Sequence, residues 1–282
     1  MMRLNLEEAR QFAQIAGSTM SYIDIGDGPV VVLAHSYLWS AEMWEPQIAT
    51  LSRHCRVIVP ELWGHGKSGA LPRDTNSVRQ LAQQHLDLLD RLGIEKCVIA
   101  GLSVGGMWAA ELAVMAPDRV AGLVLLGTYL GSEPAESKAR YLAMLKTAEA
   151  VGAVPDALSV AMLPLFFSDV SIAHSPRLTN GFRERLREID GASLMHSIVP
   201  LGRLIFDRRD ALADLRQLLM PVLVITGDED RSRPPAEGRA MAALIDCRFV
   251  ELTGVGHISS LEAPNEVTGH LLSFLDDALQ RD

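Results

Sequence analysis

At 282 residues the chain is long enough for one large domain or two smaller ones. Its composition, 48% hydrophobic and 22% charged, supplies a core that needs neither disulfides nor metals for stability. A formal net charge of −9 repels phosphate backbones and anionic lipid, so neither nucleic acid nor a membrane is expected as a partner. Three cysteines, Cys55, Cys97 and Cys247, form no dense framework and read as buried thiols.

Taken in chain order, Met1 to Gln14 places Glu7, Glu8 and Arg10 within its first turns and holds no apolar run of signal-peptide length. No later stretch reaches the roughly 18 apolar residues of a membrane span, and a cytoplasmic location is expected. Short runs rich in β-branched residues follow at Val30–Ala34, Arg56–Val59, Cys97–Ala100, Val120–Leu126, Val222–Thr226 and Arg248–Leu252. Continuous apolar runs of this length suit strands covered on both faces. Helical patterns lie between them. Thr75–Leu92 repeats apolar residues at helical spacing and stops at Gly93, and Val104–Ala116 and Pro264–Leu279 are similar. Strands alternating with helices imply an α/β fold with a mostly parallel central sheet flanked by helices. The alternation breaks between about Tyr129 and Phe206, where Pro134, Pro155, Pro164, Pro176 and Pro200 divide a helical stretch into short pieces. This stretch reads as a helical lid inserted over the carboxyl ends of the strands, where open α/β sheets bind ligands. The expected division is a core of residues 1–128 and 207–282 and a lid of residues 129–206.

The sharpest chemical signal is Gly101-Leu102-Ser103-Val104-Gly105-Gly106, which follows a strand run and opens a helix. A turn this tight lifts the Ser103 hydroxyl to the edge of the sheet, with free amides and a positive dipole end behind it. A serine needs a base to take its proton, and His257, in Gly254-Val255-Gly256-His257 after the last strand run, is placed to serve. The base needs an acid to fix its tautomer. Gly227-Asp228-Glu229-Asp230 follows the preceding strand run and offers Asp230 first, with Asp228 second and otherwise suited to holding turn amides. No His, Cys and carboxylate group has metal-ligand spacing, and Gly64-His65-Gly66 lacks a nucleotide-binding pattern, so no metal or cofactor is expected.

The order Ser103, Asp230, His257 goes with this elbow. Together with the strand ending in His35-Ser36, the loop Glu61-Leu62-Trp63-Gly64-His65-Gly66-Lys67-Ser68, and Leu261-Glu262-Ala263-Pro264 after His257, it makes the chain resemble the α/β-hydrolase superfamily over nearly its whole length. Within it, the chain is most similar to lid-bearing carboxylesterases, enol-lactonases and cofactor-free perhydrolases. The resemblance implies an oxyanion hole formed by the amides of Val104 and Tyr37. One departure is Ser36, where the superfamily usually has glycine. Either the loop takes another path or the Ser36 hydroxyl joins the site. By loop position Leu38, Trp39, Trp108 and Tyr129 are expected to line the substrate pocket with Ser36, and Phe166 and Phe167 to face it from the lid. The expected substrate is a small or medium, largely apolar, uncharged ester or lactone. Carbon–carbon bond hydrolysis, acyl transfer and perhydrolysis are alternatives using the same three residues. A non-catalytic ligand receptor is a third class. The oligomeric state is not set by the sequence.

Overall fold

The computed structural model describes residues 5–279. The expected core bounds of 1 and 282 therefore begin and end outside the described residues. Eight strands form one sheet in the order β1-β2-β4-β3-β5-β6-β7-β8. Strands β3 (Val30–Ala34), β4 (Arg56–Pro60), β5 (Cys97–Leu102), β6 (Val120–Leu126), β7 (Val222–Gly227) and β8 (Arg248–Leu252) are parallel. All six coincide with apolar runs of the sequence. β5 is buried along its whole length, which is why it shows no alternation.

The amino-terminal segment holds two strands that none of the apolar runs of the sequence marks. Arg10–Ile15 is β1, joined to β2 (Ser18–Ile25) in an antiparallel hairpin, and β2 pairs antiparallel with β4. Ala16 (φ +49°) and Gly17 (φ +78°) make the turn. Two consecutive positive-φ residues match the twist of a hairpin. An alanine in the first position hides that signal, and β1, an edge strand with Phe12 facing outward, carries little apolar alternation.

Helices α1 (Glu45–Leu51) and α12 (Pro264–Leu279) pack together on one face of the sheet. Helices α2 (Val78–Arg91) and α3 (Val104–Met115) pack on each other, with α3 against β5 and β6, and α10 (Pro235–Ile245) covers β7 and β8. From Val104 to Ala113 every residue of α3 is buried, as an all-round apolar helix requires.

Between β6 and β7 the chain forms the helical insertion, residues 135–206. It comprises α4 (Ala135–Val151), α5 (Asp156–Phe166), α6 (Asp169–His174), α7 (Pro176–Glu188), the short α8 (Gly191–Ser193), a π-helical turn (Leu194–Ile198) and α9 (Val199–Phe206). Pro134 and Pro155 stand just before α4 and α5, and Pro176 opens α7. A proline there forfeits no helical hydrogen bond, so these residues set helix starts. Pro164 lies inside α5 near its end. Short α11 (Ser259–Glu262) follows the loop after β8.

Candidate active site

The elbow after β5 is built by close approach. Ser103 has φ +59° and ψ −123°, outside the regions open to most side chains. A Cβ on Gly101 would lie 2.5 Å from the Gly106 amide nitrogen, and one on Gly105 would lie 2.3 Å from the Ala34 carbonyl. Those glycines let α3 start directly against β5 and β3. The Ser103 amide donates to Leu126 O (2.9 Å), and the Thr128 hydroxyl donates to Ser103 O (2.7 Å), so the strained residue is held from β6 and the loop after it.

His257 and Asp230 are both buried, with Asp230 Oδ2 2.8 Å from His257 Nδ1. The other Asp230 oxygen accepts the amides of Ser232 (2.9 Å) and Arg233 (2.8 Å). Gly127, at the end of β6, leaves the room for this pair: a Cβ there would be 3.0 Å from Asp230 Oδ2 and 3.2 Å from His257 Nδ1. Asp228 instead accepts the amide of Gly254 (2.7 Å), the turn that carries the chain towards His257. Ser103 and His257 share one cavity wall.

The loop after β3 is fixed by two buried histidines. His35 Nε2 accepts the Leu62 amide (2.8 Å) and His65 Nε2 accepts the Leu38 amide (3.0 Å). The Nδ1 of each lies within hydrogen-bond distance of a carbonyl, Ser36 O for His35 and Trp63 O for His65. A ring that accepts at Nε2 must be neutral with its proton at Nδ1. Burial pushes both pKa values down to about 3, which agrees with that assignment. Ser36 is tolerated because the positive φ of this loop falls on Leu38 (+66°), not on Ser36. The Ser36 amide donates to Met43 Sδ, and the Leu38 and Trp39 amides are also bonded. Among the described residues the amides of Tyr37 and Val104 have no protein acceptor.

The cavity has a volume of about 90 Å³. The lid supplies most of its wall: Met144 and Leu145 from α4, Leu158, Met162 and Leu165 from α5, and Ile198 from the π turn. Of the residues singled out in the sequence, Ser36, Tyr37, Leu38 and Phe166 lie on the wall of this cavity. Trp39, Trp108, Tyr129 and Phe167 do not. Trp108 stacks on His85 with centroids 3.8 Å apart, because its helical position turns it towards α2. Trp39 stacks on Phe182 (5.2 Å) and meets Phe167 edge-on, so both rings join lid to core beside the cavity. Tyr129 lies half-buried in the loop after β6, against Gly131. Loop position alone cannot tell which way a ring points. Met107, Glu133 and Arg233 also line the cavity, and no motif of the sequence marks them.

The lid is tied to each part of this site. The Phe166 carbonyl accepts the amides of His257 and Ile258 (3.1 Å each). Leu165 O accepts the Ser232 hydroxyl (2.6 Å), and Ile198 O accepts the Tyr37 hydroxyl (2.7 Å). The Glu262 carboxylate takes the amides of Gly256 (3.0 Å) and Ser168 (2.9 Å), bridging the histidine loop to the lid. Among the described residues no group of three or more His, Cys, Asp or Glu side chains could hold a metal ion, and no helix is long and apolar enough to cross a membrane.

The family profile of the alpha/beta hydrolase fold matches residues 29–264. The chain belongs to the α/β-hydrolase family. Its curated relatives include RutD of Pseudomonas savastanoi pv. phaseolicola, named as a carbamate hydrolase, which is 31% identical over 254 residues, covering 89% of this chain and 95% of that protein. Among solved structures, a thermophilic esterase from Thermogutta terrifontis superposes with a TM-score of 0.85 at 26% identity, over 95% of this chain and 98% of the esterase. The enol-lactonase from Burkholderia xenovorans LB400 gives 0.84 at 29% identity, over 94% and 100%. This α/β hydrolase thus shares its fold with an esterase and an enol-lactonase over 94–95% of its length.

Proposed function

We propose that this α/β hydrolase cleaves a small or medium, largely apolar carboxylic ester or lactone through an acyl-enzyme on Ser103. The observation that carries the reading is the 2.8 Å contact of Asp230 with His257 Nδ1, in a ring that shares a cavity wall with a serine held at φ +59°. In this reading Asp230 holds the Nδ1 proton in place, which leaves Nε2 as the base. Ser103 Oγ attacks the carbonyl carbon while His257 takes its proton. The amides of Val104 and Tyr37, which have no protein acceptor, receive the developing oxyanion. Two such preorganised donors are worth about 3–4 kcal/mol each. The acyl–oxygen bond then breaks and His257 protonates the departing alkoxide, which in a lactone stays tethered to the acyl group. Water, deprotonated by His257, releases the acid and restores Ser103.

The wall supports an uncharged substrate. Its lid side is largely apolar, and Glu133 and Arg233 are ion-paired with each other. The relatives' names, a carbamate hydrolase, an esterase and an enol-lactonase, share acyl transfer to water as their chemistry. Ser103→Ala assayed on p-nitrophenyl esters and simple lactones is expected to lose about 10⁴-fold or more in kcat. A fluorophosphonate probe should label the wild type and not the variant. Undiminished turnover by the alanine variant ends the proposal.

A further inference from the structure

Glu133 stands just before Pro134 at the entry to the lid, with its side chain only 1% exposed. A carboxylate taken out of water persists only where cations and donors surround it. Here they come from both ends of the lid and from the core. One oxygen accepts Arg208 Nη1 (2.7 Å), just after α9, and the other accepts Arg233 Nη2 and the Ser137 hydroxyl (2.7 Å). Glu133 therefore reaches the wall of the Ser103 cavity with both oxygens already engaged. The two guanidinium side chains are buried as well, 4% exposed for Arg208 and 5% for Arg233. Glu237, in the first turn of α10, lies 3.5 Å from Arg233 Nε and brings the network to two carboxylates and two guanidiniums.

The balance is unequal between the two cations. Burial, and after it the charge of Arg233, holds the Arg208 pKa below its usual value, whereas at Arg233 burial is outweighed by the charges of Glu133 and Glu237 and the pKa is raised. The two guanidiniums repel each other, and Glu133 is the anion between them.

The members of the network sit where the lid meets the proposed chemistry. Leu130 O accepts the Ala211 amide (2.8 Å) and Lys138 pairs with Asp207 (2.7 Å), which joins the two ends of the lid to each other. Glu133 carries that neck on to the turn of the acid. The backbone amide of Arg233 donates to Asp230 Oδ1 (2.8 Å), while Asp230 Oδ2 faces His257. One residue thus has its guanidinium anchored in the neck and its amide anchored on Asp230, and a shift of the first moves the second.

We propose, resting on the acyl-enzyme reading above, that Glu133 is a positioning residue: by holding the Arg233 guanidinium beside that of Arg208 it fixes the turn of Asp230 and, through it, the imidazole of His257.

Glu133→Gln keeps the shape and removes the charge, leaving two buried guanidiniums against Glu237 alone. On p-nitrophenyl esters kcat is expected to fall about 10- to 100-fold with KM within about 3-fold, the loss produced when a catalytic group moves by about 1 Å. Adding Arg208→Met removes the second cation, and the double variant should recover kcat to within about 3-fold of wild type. A side chain that only filled space would give no such recovery. Unchanged kcat in Glu133→Gln, a rise in KM alone, or a double variant no faster than the single overturns the proposal. If Glu133→Gln does not fold, Glu133→Asp, which keeps the charge and shortens its reach, is expected to lose kcat in the same way, and wild-type kcat there overturns it. A wild type that neither turns over esters nor takes a fluorophosphonate on Ser103 refutes the acyl-enzyme reading instead. The hold on the turn is then read as faster hydrogen exchange across residues 228–235 in the Glu133 variants, and unchanged exchange there overturns it.

Discussion

Asp228 and Asp230 stand two residues apart on one turn and face opposite duties. Asp230 meets the imidazole with one oxygen and two backbone amides with the other, so its position is set from both sides. Asp228 spends its side chain on the Gly254 amide. Replacing each by asparagine separates the roles. Asp230→Asn should lower kcat about 10⁴-fold with little change in KM, because the wrong imidazole tautomer is then favoured. Asp228→Asn should leave kcat within a few-fold and lower stability by about 1 kcal/mol, seen as a shifted urea midpoint. Equal losses of kcat in the two would overturn the assignment. At the elbow, Gly105→Ala is expected to damage activity and folding together, since its methyl would meet the Ala34 carbonyl at 2.3 Å, a backbone atom that cannot rotate away.

At the scale of elements, the lid is fastened to the three loops that carry the proposed chemistry. Tyr37 is the clearest link. Its amide is one proposed oxyanion donor and its hydroxyl reaches the Ile198 carbonyl in the π-helical turn. Gly202 on α9 makes space for that hydroxyl, since a Cβ there would lie 2.6 Å from it. Tyr37→Phe removes the bond, a net loss of about 1 kcal/mol. Faster hydrogen exchange across residues 194–206 is expected, with the β-sheet unaffected. Unchanged exchange there would show that packing alone seats the lid. The strand and helix pattern between Val30 and Leu126 is legible in the sequence because parallel strands covered on both faces must be continuously apolar. The β1–β2 hairpin is not, because an edge strand with an Ala-Gly turn carries neither that run nor the usual turn signature.

For the molecule as a whole, three buried neutral histidines bear on pH stability. His35 and His65 are lowered to about 3 and His85 to about 4, each chiefly by burial. Their unfolded value is near 6.5, so between that and about 3 the unfolded chain binds more protons than the folded one. Their contribution is therefore complete above about pH 6.5 and is lost as the pH falls towards 3. The urea midpoint should drop steadily from pH 7 to pH 4, and His65→Gln should flatten the slope. A midpoint independent of pH over that range would contradict the neutral, amide-accepting rings seen around the loop after β3.

Ser103, Asp230 and His257 each stand out alone in the sequence, because a glycine-flanked strand-to-helix turn and the turns after two strand runs are local features of the chain. That two of them meet at 2.8 Å, and that Ser103 shares a cavity with the imidazole, is a matter of strand order, which brings the ends of β5, β6, β7 and β8 side by side. The pocket was legible only in part. Ser36, Leu38 and Phe166 reach the cavity, whereas Trp39, Trp108, Tyr129 and Phe167 turn into packing elsewhere. Sequence spacing fixes which elements lie near a site. The direction of a side chain, and contacts across the 161 residues from Tyr37 to Ile198 or the 75 from Glu133 to Arg208, depend on how the lid settles on the core. Those contacts are long-range and form only when the lid helices pack, so no local pattern in the chain encodes them.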